Sequence, residues 1–325
     1  MRARGPKRDR ALAGLVGKAL VGLVGTALVG LVGTTLVGLV GTTLVGLAAT
    51  EARAVSPSDK YVAKPASTGM AWASVTFKST RDEIDLSGWW FDGRPDTPVL
   101  VLFDRGRGNM GDLLPVAAEF VARGFSVMTF DYRDFGPAGP GAVDTLVQLA
   151  FASRWVNDAE GALRFARTKA GKRPVFAWAQ DIGGAVAVAA AARDRHNVDA
   201  VACEGMFRTL PELLRLRGLA QVTGVPERHR FLVEGPDEPV TSMGSLIVPL
   251  HVTVALKDEE WPATVTQEVT RHSLSRIDRW IVPDATYEGI EKTPGYFDRL
   301  GGWFTRIAGM MKAAQPPEPA EATSK

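Results

Sequence analysis

Ala177-Trp-Ala-Gln-Asp-Ile-Gly-Gly-Ala185 decides the fold. An apolar strand turns sharply through a glycine pair into a helix. A turn of this kind projects its apex side chain, here Asp181, over the carboxyl edge of a sheet. Such an apex needs a strained, often left-handed backbone, which aspartate tolerates better than most residues, and the start of a helix favours a carboxylate.

Working outward, Val99 to Phe103 is a continuous apolar run, the pattern of a strand buried on both faces. Val75 to Thr80 and Ile84 to Phe91 read as two strands joined by the polar turn Arg81-Asp82-Glu83. Leu113 to Arg123 has helical spacing and stops at Gly124, Phe125 to Phe130 is a strand, and Leu146 to Lys169 is a long helix. After the central turn come helix Gly183 to Arg193, strand Val198 to Cys203, strand Leu250 to Leu256, a helix around Val265 to Ser275, strand Arg279 to Val282 and helix Tyr296 to Met311. This alternation predicts an α/β fold with a doubly wound, mainly parallel sheet and a ligand site at the carboxyl ends of its strands.

The ends of the chain read differently. Met1 to Arg10 holds five basic residues, and from Ala19 to Thr50 there is no charge for 32 residues. That run repeats with a period of eight, in copies starting at Ala19, Ala27, Thr35 and Thr43. Ala52-Arg53-Ala54 then offers a small-residue cleavage site, so residues 1–54 have the grammar of an export signal. The apolar run is also long enough to cross a bilayer, which takes about 20 residues, so a retained membrane anchor is the rival. Either way the remainder is expected outside the cytoplasm, secreted or periplasmic, or anchored through residues 11–50. Residues 55–71 read as a linker, 72–312 as the folded domain with a cap-like insert at about 205–247, and 313–325 as a disordered tail.

Charge excludes one class of function. The net charge is +2, but residues 1–54 carry seven Lys or Arg against two acids, which leaves about −3 for the rest. No nucleic-acid partner is expected, because the positive charge sits in the export segment. The single cysteine, Cys203, excludes an intramolecular disulfide and reads as a small apolar residue at a strand end. Trp89-Trp90 reads as packing. No cofactor or metal is expected: Gly106, Gly108 and Gly136 are turn glycines without a phosphate-cradling continuation, and Asp104, Asp131, Asp134 and Asp258 read as acids that take loop hydrogen bonds.

From about Thr76 to Ala308 the chain resembles the α/β-hydrolase superfamily, in its serine aminopeptidase and monoacylglycerol lipase-like branch. Four segments carry the likeness. Pro98-Val-Leu-Val-Leu-Phe-Asp-Arg-Gly-Arg-Gly-Asn109 is similar to the strand and oxyanion loop, and Arg123-Gly-Phe-Ser-Val-Met-Thr-Phe-Asp-Tyr-Arg-Asp-Phe-Gly136 to the following strand and loop. Leu256-Lys-Asp-Glu-Glu-Trp-Pro262 resembles the turn of the triad acid, and Ile281-Val-Pro-Asp-Ala-Thr-Tyr-Glu-Gly289 that of the triad histidine. The elbow, usually G-x-S-x-G, is Ala177 to Gly184 here.

The resemblance implies catalytic positions at Asp181, Asp258 and Tyr287, and an oxyanion hole from the amides of Arg105 and Ile182. The chain departs from it at the decisive atoms. The loop's His-Gly is Asp104-Arg105, the serine is Asp181 and the histidine is Tyr287; only Asp258 keeps its type. A phenol with a pKa of about 10 is a poor base at neutral pH. Of the histidines, His251 lies about 23 Å back along its strand from Asp258, His196 and His272 are on helices, and His229 alone is placed to reach the site. Arg105, and after it Arg133, is expected to pair with Asp181 across the pocket.

Two functions follow. The first is an exported, catalytically impaired hydrolase, a pseudoenzyme kept for binding an unknown small molecule or protein, or for structure. The second is an active hydrolase acting on esters, or in the manner of dehalogenases and epoxide hydrolases, with Asp181 as nucleophile; those families often read Gln-Asp-Trp-Gly-Gly, close to Gln180-Asp-Ile-Gly-Gly184. An envelope-anchored interaction module is a third reading if the repeat segment is retained.

Overall fold

The computed structural model describes residues 56–138, 152–210, 212–213, 237–259, 261–271 and 273–314. The export segment and its repeat, most of the cap-like stretch, His229, His272 and residues 315–325 lie outside them.

The apolar runs become strands where the sequence places them. β1 is Ser56–Pro57, β2 Trp72–Lys78, β3 Asp85–Phe91, β4 Val99–Phe103, β5 Arg107–Gly108, β6 Ser126–Phe130, β7 Val175–Gln180, β8 Ala200–Glu204, β9 Leu250–Ala255 and β10 Ile277–Val282. Eight of them form one sheet in the order β10-β9-β8-β7-β4-β6-β3-β2. Only β3 runs antiparallel to its neighbours, β2 and β6; every other pairing is parallel. Every residue of β4, β6, β8 and β9 is buried, as strands covered on both faces require.

Helices cover both faces. α1 (Leu114–Ala122), α2 (Ala152–Ala170), α3 (Ile182–Arg193), α4 (Pro239–Met243), α5 (Ala263–Thr270) and α6 (Tyr296–Ala314) follow in chain order. α1 and α6 pack Phe120, Leu300, Trp303 and Phe304 against Leu100, Leu102, Phe176 and Trp178 of the sheet. Burying each such side chain contributes roughly 1.5–3 kcal/mol. α2 and α3 pack side by side on the opposite face, where Phe103 meets Phe130 and Tyr132 meets Trp155. Trp89 and Trp90 are both buried, the packing role their sequence suggests.

The chain enters the sheet at its β2–β3 edge, lays down β4 one position away, fills the gap between β4 and β3 with β6, and crosses to β7 on the other side of β4. The strand order therefore reverses between β4 and β7, and a crevice opens beyond their carboxyl ends. The loop after β4 and the turn after β7 are the two expected site segments. Topology alone brings them together.

Two expectations need correction. Residues 56–71 are not a linker. β1 pairs with β5, Asn109 Nδ2 donates to the carbonyls of Ser58 and Lys60, and the Tyr61 hydroxyl donates to Asp131 Oδ2 at 2.6 Å. The serine, proline and lysine content suggested a solvated segment, but the free donors and carbonyls of the β4–α1 loop recruit it as an edge partner.

Arg133, expected near Asp181, is buried elsewhere. Its Nη2 donates to Asp158 Oδ1 at 2.6 Å and to Asp82 Oδ1 at 3.1 Å, and its own amide donates to Asp158 Oδ2. Asp158 is fully buried on α2, and Asp82 sits in the β2–β3 turn, where Arg81 and Glu83 hold positive φ angles of 71° and 52°. The fork of the guanidinium matches two carboxylates at once, and a buried carboxylate without it would be uncompensated. That demand outweighs any pull from Asp181.

Replacing Arg133 with alanine is expected to cost about 3–5 kcal/mol, because it strands the Asp158 charge. Urea unfolding measures this, and a loss below about 1 kcal/mol would show Asp158 to be satisfied by other means.

Candidate functional site

Asp181 sits at φ 52° and ψ −122°, between the last residue of β7 and the first of α3. A side chain other than glycine is strained there, and the surrounding bonds hold it in place. The Asp181 amide donates to the Glu204 carbonyl of β8 at 2.9 Å, and its own carbonyl accepts from Gly184 at 2.9 Å and Ala185 at 3.3 Å. The tight turn needs Gly183: a Cβ there would lie 2.3 Å from the Asp104 carbonyl oxygen. The missing side chain lets the loop after β4 rest directly on the start of α3.

That loop is folded by its own carboxylate. Asp104, buried where the resemblance expects a histidine, accepts from the amides of Gly106 at 2.8 Å and Arg107 at 2.9 Å. Among the described residues, neither the Arg105 amide nor the Ile182 amide donates a hydrogen bond. The second is an orphan donor of a helix N-terminus, so partial positive charge gathers beside Asp181. These are the two amides expected to form an oxyanion hole.

Asp258 and Tyr287 meet as expected, but through the backbone. Asp258 Oδ1 accepts from the Trp261 amide at 2.8 Å and Oδ2 from the Tyr287 amide at 2.9 Å. Oδ1 folds the loop after β9, and Oδ2 staples that loop to the loop after β10. The Tyr287 hydroxyl is buried near Thr266, and burial, with Asp258 and Glu204 nearby, pushes its pKa further above the ordinary phenol value. Its ring packs over Gly205, whose φ of 68° and lack of Cβ let Trp261 and Tyr287 close in; a Cβ would stand 3.1 Å from Trp261 Cδ1.

These segments enclose a cavity of about 310 Å³ lined by Arg105, Arg107, Gln180, Asp181, Glu204, Gly205, Asp258, Glu259, Trp261, Thr286, Tyr287 and Glu288. The expected residues Asp181, Asp258, Tyr287 and Arg105 share this wall; Arg133 does not. Arg105 and Asp181 form no ion pair among the described residues. His251 is far from the cavity, buried on β9 with Nδ1 2.7 Å from Asp278, and burial lowers its pKa. His196 lines a groove at the opposite end of the sheet. No histidine among the described residues reaches Asp181.

The residue that sequence reading passed over is Glu204. It ends β8 beside the elbow, is 2% exposed, and takes one hydrogen bond, from Gln180 Nε2 to Oε2 at 2.7 Å. Its Oε1 has no geometric hydrogen-bond partner among the described residues. Desolvation dominates, and the carboxyl is pushed up to about 8, the Gln180 bond offsetting only part of that shift. An acid closing an otherwise apolar strand next to the elbow was the available signal. Among the described residues no group of three His, Cys, Asp or Glu is arranged to hold a metal ion. Asp104 and Asp258 instead bind loop amides, and Asp131 binds the Met110 amide and Tyr61.

Comparison with known proteins agrees with this architecture. The model of the serine aminopeptidase S33 family matches residues 95–224. Protein bem46 of Schizosaccharomyces pombe is 24% identical over 163 residues, 48% of this chain and 52% of that protein, so the chain spans about half the length of this relative. An esterase of Pyrococcus furiosus superposes with a TM-score of 0.62 at 15% identity, covering 79% of this chain and 99% of that one. Acetyl xylan esterase from Paenibacillus sp. R4 gives 0.57 at 16% identity, over 74% and 85% of the two chains. At such identities the structural likeness speaks for the fold. Fold and elbow together define an α/β-hydrolase-type architecture. The chain has that fold, with aspartate at its elbow, and is similar to the serine aminopeptidase S33 family over residues 95–224.

Glu204 makes stability depend on pH. Its folded pKa lies above the unfolded value of 4.5, so its contribution is fully present below 4.5 and is lost as pH rises through about 8. Asp131, raised to about 6, acts in the same direction. Thermal unfolding is therefore expected to show stability falling from about pH 5 to pH 9, with Glu204→Gln removing on the order of 4 kcal/mol of that loss. Equal pH slopes in the two proteins would mean that Glu204 is ionised in the fold.

Proposed function

We propose that this hydrolase-family protein has lost serine-hydrolase turnover and uses the cavity over Asp181 to bind a small molecule. One observation carries the reading: the position beside Asp258 that should hold the base is Tyr287, whose amide donates to Asp258 Oδ2 and whose hydroxyl is buried. Tyr287 offers no base, since its hydroxyl is buried and its pKa is raised. Acyl transfer needs a nucleophile, a base and an orienting group in one line. The cavity, its aromatic wall and its two amide donors suit retention of a ligand.

A second reading rests on the elbow itself. A strained backbone at Asp181, facing a cavity with two amides nearby, is the posture of a carboxylate nucleophile, which attacks an alkyl carbon without a base. Hydrolysis of the resulting ester would still need a base.

We also propose that the protein is exported by residues 1–54, the rival being an anchor retained through residues 11–50. The basic start, the apolar run and the Ala52-Arg53-Ala54 site support this. Among the described residues no helix is long and apolar enough to cross a membrane. N-terminal sequencing of the extracytoplasmic protein is expected to begin at Val55. A chain beginning at Met1 would favour the anchor.

Nitrophenyl acetate hydrolysis by the wild-type protein and by Asp181→Ala is expected to agree within about twofold. Turnover abolished by Asp181→Ala would establish the nucleophile reading. The double change Asp181→Ser with Tyr287→His should raise the rate above either single change, because Asp258 already contacts residue 287; no gain would show that more than two groups are missing.

A further inference from the structure

Glu204 has no role in the hydrolase pattern, yet it is the most buried acid on the cavity wall. It rests on the reading of this cavity as a ligand site, and the geometry narrows what that ligand is. Gln180 Nε2 donates to Oε2, which therefore serves as an acceptor. In a neutral carboxyl the hydroxyl then falls on Oε1, the oxygen without a geometric hydrogen-bond partner among the described residues. A buried donor left unmade costs about 1–3 kcal/mol, and an acceptor brought by a ligand would recover it.

The groups facing Glu204 keep it neutral. Gln180 and Trp178 approach it from β7, Asp181 from the elbow, and Cys203 precedes it on β8. Arg105 and Arg107 line the cavity from the β4 loop, Asp258 and Glu259 from the β9 loop, Tyr287 and Glu288 from the β10 loop, and Glu291 acts on it from the turn Ile290–Lys292. Gln180 Nε2 donates to its Oε2, Trp178 also draws its pKa down, and among the described residues neither arginine forms an ion pair with it. Desolvation and Glu291 hold its pKa near 8.

We propose that Glu204 is the specificity-determining residue of the cavity, donating a hydrogen bond from Oε1 to the oxygen of a small uncharged carbonyl compound. Trp261, backed by Phe207 at 5.5 Å between ring centroids, and Tyr287 supply flat walls for the ligand's apolar part. The carboxylates of Asp181, Glu259 and Glu288 disfavour an anion, while Arg105 and Arg107 disfavour a cation. A neutral ligand meets neither penalty.

Three probes of one shape separate the cases: benzamide, benzylammonium and benzoate, titrated against the full chain by calorimetry, with tryptophan fluorescence compared between wild type and Trp261→Phe. Benzamide is expected to bind best at about pH 6.5 and to weaken by about tenfold for each pH unit above about 8. Glu204→Gln should keep the binding and lose the pH dependence, whereas Glu204→Leu, verified as folded by its thermal transition, should weaken it by about tenfold or more. An infrared carboxylic acid band at neutral pH, absent from Glu204→Gln, is expected without any ligand. Tighter binding of benzylammonium that Glu204→Gln abolishes would overturn the proposal, as would loss of the infrared signature. Benzamide bound equally by all variants and at every pH would remove Glu204 from the site while leaving the cavity a binding site. No binding of any probe would overturn the cavity reading and this inference together.

Discussion

The backbone at Asp181 has to be held where an unsupported chain would not stay. At φ 52° and ψ −122° it costs free energy, and the cost is met by neighbours on three sides. β8 accepts the Asp181 amide, the first turn of α3 bonds its carbonyl, and the loop after β4 presses its own carbonyl into the space that Gly183 leaves open. The order of strands in the sheet is what makes these three meet. Once they meet, the cavity, the two amide donors and the position of Asp181 follow.

The same close packing governs the charges around it. Asp104, Asp131 and Asp258 are turned inward and used to fold loops, each satisfied by backbone amides. Their carboxylates are architecture first. Asp158 is different, because it is buried on a helix whose own amides are occupied, and it takes the Arg133 guanidinium as well as that residue's amide. Glu204 takes neither solution. With one amide donor and a wall of aromatic and acidic neighbours, the lower-energy state is the protonated one, which turns a would-be charge into a hydrogen-bond donor. The cavity thereby holds polar groups of graded character: two amides, two arginines, several carboxylates and one neutral acid.

The distinction between fold and function runs through the molecule. Its relatives by shape include esterases, while Asp258 accepts from backbone amides and Tyr287 turns its hydroxyl into the interior. Function lives in the arrangement of side chains, and shape alone does not assign it.

The sequence by itself determined the elements and their order. Apolar runs such as Val99 to Phe103 can be buried only in the middle of a covered sheet, and the Gly-Gly pair after Asp181 marks a turn too tight for side chains. It also placed Asp181, Asp258, Tyr287 and Arg105 on one wall, because motif order along a doubly wound chain fixes which loops share an edge. Partners were decided only in three dimensions. Arg133 reads as an elbow neighbour in one dimension, yet the pairing energy of a buried Asp158 on the other face claimed it. Residues 56–71 look solvated, yet unpaired edge groups at Arg107–Asn109 drew them in. Glu204 lies one residue past the strand read as Val198 to Cys203, and only its burial beside the elbow gave it a protonation state. Periodicity records which face a residue shows. Desolvation and pairing depend on what arrives there from elsewhere in the chain, and that is settled by packing.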